Sequence, residues 1–340
     1  APFYSESAQS FNDDGLGGNY ETRLNSVNEF YQFPSKEFSV QINENFSVPN
    51  VIWVKLLSYQ QEGVKWLWKL HQENVGGILS DEMGLGKTVQ IVSFLGSLHF
   101  SQFHPDTLRF GCAVVIAPAT LLKLWLREFY VWWPFLKVVI LHRTGSMTIS
   151  HAQFLRKIPS MKGVVVLTTY STLLKHKRHV VSIEWEYVIL DEGHKIKNPE
   201  TCINILALKL KTTHRVIVSG TPIQNNLKEL WSLVNFVYPG LLGTLPVFLK
   251  DVAAHITRAS YSNASTLQVK TGFKCAKMLK QVIEPYLLRR TKKSVQSELS
   301  LPSKSDFVMF CRLNRIQSNM YQKLLNLHSF DDMIKSGYKQ

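Results

Sequence analysis

No two cysteines lie close enough to form a metal or redox pair, and no apolar run is long enough to cross a bilayer. Cys112, Cys202, Cys275 and Cys311 include no C-x-x-C, the spacing that zinc ribbons and dithiol catalysts need. They read as small buried hydrophobes. A membrane helix takes roughly 18 consecutive apolar residues, and nothing here approaches that; nor does a charged segment followed by an apolar stretch open the chain. A membrane partner is therefore not expected.

Acidic residues are also in short supply. Asp and Glu number 25 against 39 Lys and Arg, a formal net charge of +14. The imbalance is uneven: the first 50 residues hold seven acidic and two basic side chains, so everything from Val51 onward carries +19. A polyanionic partner is the natural inference.

What is present is a chain of 340 residues, 45% hydrophobic, enough for a large core and for more than one unit, because single cores stop growing at roughly 250–300 residues. It opens Ala1-Pro2 and closes MIKSGYKQ, and reads as a piece of a longer protein. Residues 1–50, rich in Ser, Asn, Asp and Glu, read as a flexible acidic segment. Asp13-Asp14-Gly15 has the start of a metal loop without the remaining ligands. From Ala113 short β-branched runs alternate with helical patterns: CAVVIA (112–117), KVVILH (137–142), GVVVLT (163–168), YVILDE (187–192) and HRVIVS (214–219). Such runs suit strands covered on both faces. Between them Leu121, Leu122, Trp125, Leu126, Phe129, Tyr130 and Trp133 make one helical stripe, and Asn226 followed by Glu229 and LWSLVNFV marks a helix start. Strand–helix alternation predicts an α/β fold with a parallel sheet, helices on both faces, and ligands at the carboxyl ends of the strands. The divisions expected are 1–50, a parallel-sheet lobe over 51–240, and a basic, mostly helical extension over 241–340.

Two motifs carry the chemistry. GGILSDEMGLGKT (76–88) places a short strand, a glycine loop and Lys87-Thr88 before a helical stretch, the context of a phosphate loop. Its backbone N–H groups and Lys87 cradle phosphates, and Thr88 offers a hydroxyl to Mg²⁺. The departure is at Asp81, where such loops usually begin with Gly, and the next residue is Glu82. Only the main chain and Lys87 need face the phosphates, which leaves both carboxylates free to turn away. The second motif comes 104 residues after Lys87, where Asp191 and Glu192 end an apolar run. An Asp at a strand tip holds the Mg²⁺ shell, and a following Glu orients or deprotonates water. Catalytic roles are expected for Lys87, Thr88, Asp191 and Glu192.

DEMGLGKT, DEGH and SGTPIQNN in this order resemble motifs I, II and III of the Snf2 group of helicase superfamily 2. The resemblance runs from about Leu56 to at least Val295 and implies a RecA-like first lobe that binds ATP and Mg²⁺. It makes the Asp-Glu pair part of motif I and assigns ATP binding to Asp81, Glu82, Met83, Gly84, Leu85, Gly86, Lys87 and Thr88. Gln60, in YQQEGVKWLW, would recognise adenine. His194, Ser219, Gly220 and Thr221 would relay nucleotide state, and APATLLKLW and LTTY would meet a DNA strand through Lys123, Thr169 and Tyr170. Arg289 and Arg290, in LLRRTKK, fall in a block that braces the lobes or meets DNA. WWPFLKVVILHRTGS, LLGTLPVF and PYLLRRTKKSV look most like the branch of the group that acts behind stalled RNA polymerase II. That implies double-stranded DNA, the polymerase and chromatin as partners, a nuclear setting and transcription-coupled repair. The alternatives are a remodeller of another Snf2 branch, a strand-separating helicase, or a non-catalytic scaffold. No Gln-x-x-Gly-Arg-x-x-Arg pattern occurs, so the arginines of a second lobe are missing and hydrolysis by this chain alone should be weak.

Overall fold

The computed structural model describes residues 12–30, 35–104, 107–108, 110–220, 226–298 and 307–326. Chain contacts separate residues 1–299 from residues 300–340.

Strands β1 (Ser39–Asn43) and β2 (Phe46–Pro49) form an antiparallel hairpin, as do the short β4 (Phe103–His104) and β5 (Thr107–Leu108). Between the two pairs lies β3 (Gly77–Leu79), and after them come β6 (Cys112–Ile116), β7 (Lys137–Leu141), β8 (Val164–Thr168), β9 (Tyr187–Asp191), β10 (His214–Val218) and β11 (Leu287–Leu288). β3 and β6–β11 make one seven-stranded sheet, ordered β11-β3-β10-β9-β6-β8-β7, with every neighbouring pair parallel. All five expected apolar runs form strands. Their lack of alternation has a physical cause: odd and even positions enter two different cores.

Val115, Val138, Val165, Ile189 and Val216 face one core. It is built with α1 (Asn19–Phe30), α2 (Asn50–Trp53), α3 (Ser58–Gln72), α4 (Lys87–Gln102) and α5 (Leu122–Trp132). Val114, Val139, Val166, Val188 and Ile217 face the other. There they meet α6 (His151–Lys157), α7 (Tyr170–Lys175), α8 (Lys177–Ser182), α9 (Cys202–Leu208), α10 (Leu227–Val237), α11 (Leu245–Phe248) and α13 (Thr266–Ile283), with α12 (Ala254–Ala259) packed on α13. The α5 stripe is buried from Leu122 through Trp133. Asn226 starts α10 by accepting a hydrogen bond from the Lys228 N–H at 3.0 Å.

Three features differ from the sequence-based divisions and assignments. First, β11 lies beyond residue 240 yet joins the sheet beside β3, so the described residues between α10 and Glu298 belong to the same compact unit as the sheet. Second, the described part of the acidic segment is docked. The Asp14 N–H donates to the Val138 carbonyl at 2.9 Å, and the Val138 and Ile140 N–H groups donate to Asp14 Oδ2 and Asp13 Oδ2 at 2.8 and 2.9 Å. Arg23 pairs with Asp14 at 2.6 Å. The two aspartates thus serve the open edge of β7, a common device for protecting an edge strand. Third, only Cys112 is fully buried, Cys202 and Cys311 being exposed, and burial pushes the Cys112 thiol up to about 11.

In the second unit α14 (Arg315–Leu325) is capped by Asn314, whose side chain accepts from the Gln317 N–H at 2.8 Å.

Candidate active site

Three parallel strands end level with one another. Leu79 pairs with Val218, and Val218 with Asp191. The chain therefore leaves the sheet at adjacent points carrying the phosphate-loop sequence, Ser219-Gly220 and Asp191-Glu192. The Ser219 N–H closes the gap by donating to the Leu79 carbonyl at 3.1 Å. Thr221 lies outside the described residues.

The loop from Asp81 to Gly86 turns on two glycines, Gly84 and Gly86, with φ of +90° and +73°, values that L side chains resist. Met83 is exposed, whereas Leu85 is buried against Tyr59 and Val295 and anchors the loop from beneath. Helix α4 begins at Lys87, so its first-turn N–H groups have no intrahelical acceptors and line the loop mouth with Thr88 among them. Lys87 folds back over the loop, its Nζ donating to the carbonyls of Asp81 and Glu82 at 2.8 and 3.3 Å. Burial lowers its pKa, against the pull of Asp81, Asp191 and Glu192, which all act on it. Gly220 lies over the same ammonium: a Cβ there would come within 3.5 Å of Nζ.

The acidic pair does turn away from the loop mouth, and a partner receives it. Asp81 is fully buried. Arg290 donates to it from Nε at 3.0 Å, from Nη2 at 2.5 Å and from its own N–H at 3.0 Å. Gln90, on α4, adds a bond to Asp81 Oδ2 at 3.1 Å and accepts from Arg290 Nη2 at 2.8 Å. Arg290 also reaches the Tyr59 carbonyl. Glu82 accepts from the Lys292 N–H at 2.7 Å, and its own N–H donates to the Arg290 carbonyl at 2.9 Å. β11 and the residues after it thus run alongside the first half of the loop and neutralise it.

Gln60 sits under the same loop. Its Oε1 accepts the Leu57 N–H at 3.1 Å, capping α3, and its Nε2 reaches the Leu85 carbonyl at 3.3 Å.

Asp191 is buried, and desolvation raises its pKa; a hydrogen bond from Trp125 acts in the opposite sense. Trp125 Nε1 donates to Oδ2 at 2.8 Å, while the Glu192 N–H donates to Oδ1 at 2.9 Å. Glu192 holds φ +51°, a left-handed conformation that costs a non-glycine residue free energy and clusters at functional sites. Its Oε2 is 3.2 Å from His194 Nδ1. His194 is thus next to the Glu rather than in a metal cluster, and no group of three or more potential metal ligands occurs among the described residues. A Mg²⁺ ion nevertheless fits this donor set, since it takes hard oxygens, one or two carboxylates and otherwise phosphate and water. Thr88 and Asp191 could supply such oxygens, and a desolvated carboxylate gains from a nearby cation.

The residues expected to meet DNA lie on the segments that follow β6 and β8: Lys123 on the first turn of α5, Thr169 directly after β8 and Tyr170 at the start of α7. Lys123 is exposed, whereas Thr169 is buried and caps α7, accepting from the Thr172 N–H at 3.2 Å. Tyr170 spends its hydroxyl within the chain, donating to the Asp191 carbonyl at 2.7 Å. Sequence reasoning missed Trp125, Gln90 and the specific role of Arg290. A buried acid signals the need for a cation, but no local spacing says which of 39 basic side chains provides it.

A family model for the SNF2-related domain matches residues 59–340. The chain is 44% identical over 331 residues to the human DNA excision repair protein ERCC-6, covering 93% of this chain and 22% of the relative. It is 40% identical over 340 residues to the DNA repair and recombination protein RAD26 of Saccharomyces cerevisiae, covering 87% and 30%. The chain thus spans less than a third of the length of these relatives. Among solved structures it resembles the Sulfolobus solfataricus SWI2/SNF2 ATPase core in complex with dsDNA, with a TM-score of 0.59, 30% identity, and coverage of 84% of this chain and 54% of that one.

Proposed function

The chain belongs to the SNF2-related domain family, and on that premise we propose that it is the RecA-like ATP-binding lobe of a DNA-dependent ATPase that moves along double-stranded DNA. The observation that carries this reading is the level ending of β3, β10 and β9, which gathers Lys87, Gly220 and the Asp191-Glu192 pair around one loop mouth.

In this reading Lys87 releases the two loop carbonyls and holds the outer phosphates of ATP, while the α4 N–H groups and the Gly84–Gly86 backbone surround them. Thr88 and Asp191 would hold Mg²⁺, which would supply charge neutralisation at the phosphates. Glu192 orients water for attack. Asp81 and Glu82 take part in ATP binding indirectly, by shaping the loop, and Gln60 recognises the adenine. Ser219, Gly220, Thr221 and His194 couple the loop mouth to the rest of the motor. Lys123 and the backbone around Thr169 meet phosphates of the duplex, giving sequence-neutral, salt-sensitive binding. Because the relatives named above are DNA repair proteins, transcription-coupled repair is proposed as the setting, with RNA polymerase II and chromatin as partners in the nucleus.

Hydrolysis by this chain alone should be weak, since an arginine finger from a second lobe is worth about 10³–10⁵ in rate. The test compares ATP hydrolysis with and without duplex DNA for this chain and for a longer version that continues through a second lobe, each beside Glu192→Gln. DNA-stimulated turnover in the longer protein, abolished by the substitution, supports the motor. A longer protein indifferent to both DNA and ATP supports the scaffold, and displacement of a strand from a forked duplex supports a helicase.

A further inference from the structure

Asp191 is held from two sides by side chains that no catalytic role requires. Trp125, fully buried on the first turn of α5, donates its indole N–H to Oδ2 at 2.8 Å. Tyr170, the first residue of α7, donates its hydroxyl to the main-chain carbonyl of the same residue at 2.7 Å. These partners lie 66 and 21 residues away in the chain. A phenylalanine at either position could fill apolar space; the polar atoms serve to fix one residue.

The two elements that bear them matter as much as the bonds. Lys123, exposed, lies two residues before Trp125, and Thr169, the α7 cap, immediately precedes Tyr170. β6 lies between β9 and β8, with Ile116 level with both Leu190 and Thr168. The turns after β6 and β8 thus share a sheet edge with the Asp191 turn, and the helices that follow them, α5 and α7, each send one aromatic side chain to Asp191. A bond from an indole N–H to a carboxylate is charge-assisted and directional, so a small displacement of α5 changes which way Oδ2 points.

We propose that Trp125 and Tyr170 are positioning residues through which the turns after β6 and β8 set the Asp191 carboxylate, so that DNA contact at those turns and Mg²⁺-nucleotide binding at Asp191 change one another's affinity. This rests on the proposed function, which places the metal at Asp191 and the duplex at those turns. Linkage requires the effect to be reciprocal: the factor by which DNA changes nucleotide affinity must equal the factor by which nucleotide changes DNA affinity.

The test measures that factor in both directions in the 340-residue chain. The Kd for Mg²⁺ with a slowly hydrolysed ATP analogue is measured with and without saturating duplex, and the Kd for a fluorescein-labelled duplex with and without the nucleotide. The proteins are the wild type, Trp125→Phe, Tyr170→Phe, and a chain carrying the benzothiophene isostere at Trp125, which keeps the ring shape and removes the N–H. The expected result is a wild-type factor of about fivefold or more, within the usual range for coupled sites, falling below about twofold in the isostere and reduced in each Phe variant. A purely structural role would weaken both ligands and leave the ratio intact. The inference is overturned if the isostere keeps the wild-type factor, or if the wild type binds both ligands with no coupling. If the wild type fails to bind one of them, the functional reading itself falls and takes the inference with it; the single affinities report the first failure and the ratio the second.

Discussion

The guanidinium of Arg290 closes on the carboxylate of Asp81 across 209 residues of chain, with Nη2 2.5 Å from Oδ2. The acid is fully buried and the arginine nearly so, their side chains being 0% and 11% exposed. A phosphate loop that starts with an acid is therefore compatible with phosphate, since the negative charge is consumed beneath the loop by the segment that follows β11. The same aspartate offers its carbonyl to Lys87 at 2.8 Å, so the pair also sets where the resting ammonium lies.

Breaking this pair from one side strands a buried charge. Arg290→Gln and Asp81→Asn are each expected to lower stability by about 3–5 kcal/mol, and the two together to recover much of the loss. Denaturant unfolding of the four proteins gives the coupling as a double-mutant cycle. Strict additivity would show that the pair is incidental.

Lys87→Ala removes the loop's cation while leaving α4 a good helix former at its first position. Charge-assisted bonds contribute about 1.5–3 kcal/mol, so nucleotide affinity should drop by about tenfold to a hundredfold. Fluorescent nucleotide titration measures it, and an unchanged circular dichroism spectrum shows that the fold survives.

Glu192 sits at φ +51°, where glycine is at ease. Glu192→Gly should raise stability by about 0.5–1 kcal/mol and at the same time abolish hydrolysis, whereas Glu192→Gln should abolish hydrolysis without the gain. Thermal melts beside turnover assays separate the two. A glycine variant less stable than the wild type would show that the contact with His194, at 3.2 Å, outweighs the backbone cost.

His71, His99 and His214 are held neutral by burial, each pushed down to about 4. His71 and His214 stack at 4.3 Å, and Nδ1 of His214 has no hydrogen-bond partner. In the unfolded chain each titrates at about 6.5, so between those values the unfolded state binds more protons. Stability should therefore be steady above about pH 7 and be lost progressively as pH falls toward about 4. His214→Phe, which keeps a ring in the stack, should flatten the dependence of the unfolding midpoint on pH.

Asp14→Ala removes the acceptor for the Val138 N–H and strands Arg23, whose side chain is 9% exposed. A loss of about 3–5 kcal/mol is expected, together with concentration-dependent light scattering as the β7 edge opens. A melt unchanged from the wild type would show that the strap is dispensable.

Much of this molecule is written locally. Continuous β-branched runs specify strands buried on both faces, the Leu122-to-Trp133 stripe specifies α5, and a glycine loop before Lys87-Thr88 specifies the phosphate-loop turn, because each pattern acts over a few neighbouring residues. The meeting of Asp191 with the loop also follows, since parallel strands bring their carboxyl ends to one edge. What tertiary structure alone decided is who satisfies the buried polar groups. Arg290 finds Asp81 209 residues away, Trp125 finds Asp191 66 away, and Asp13 finds the Ile140 N–H 127 away. β11 is two residues long, too short to show a period, and becomes a strand only because β3 has an edge to fill. A charge or an N–H announces in sequence that it needs a partner, but the partner is chosen by proximity in the folded chain, and proximity is a property of the whole fold.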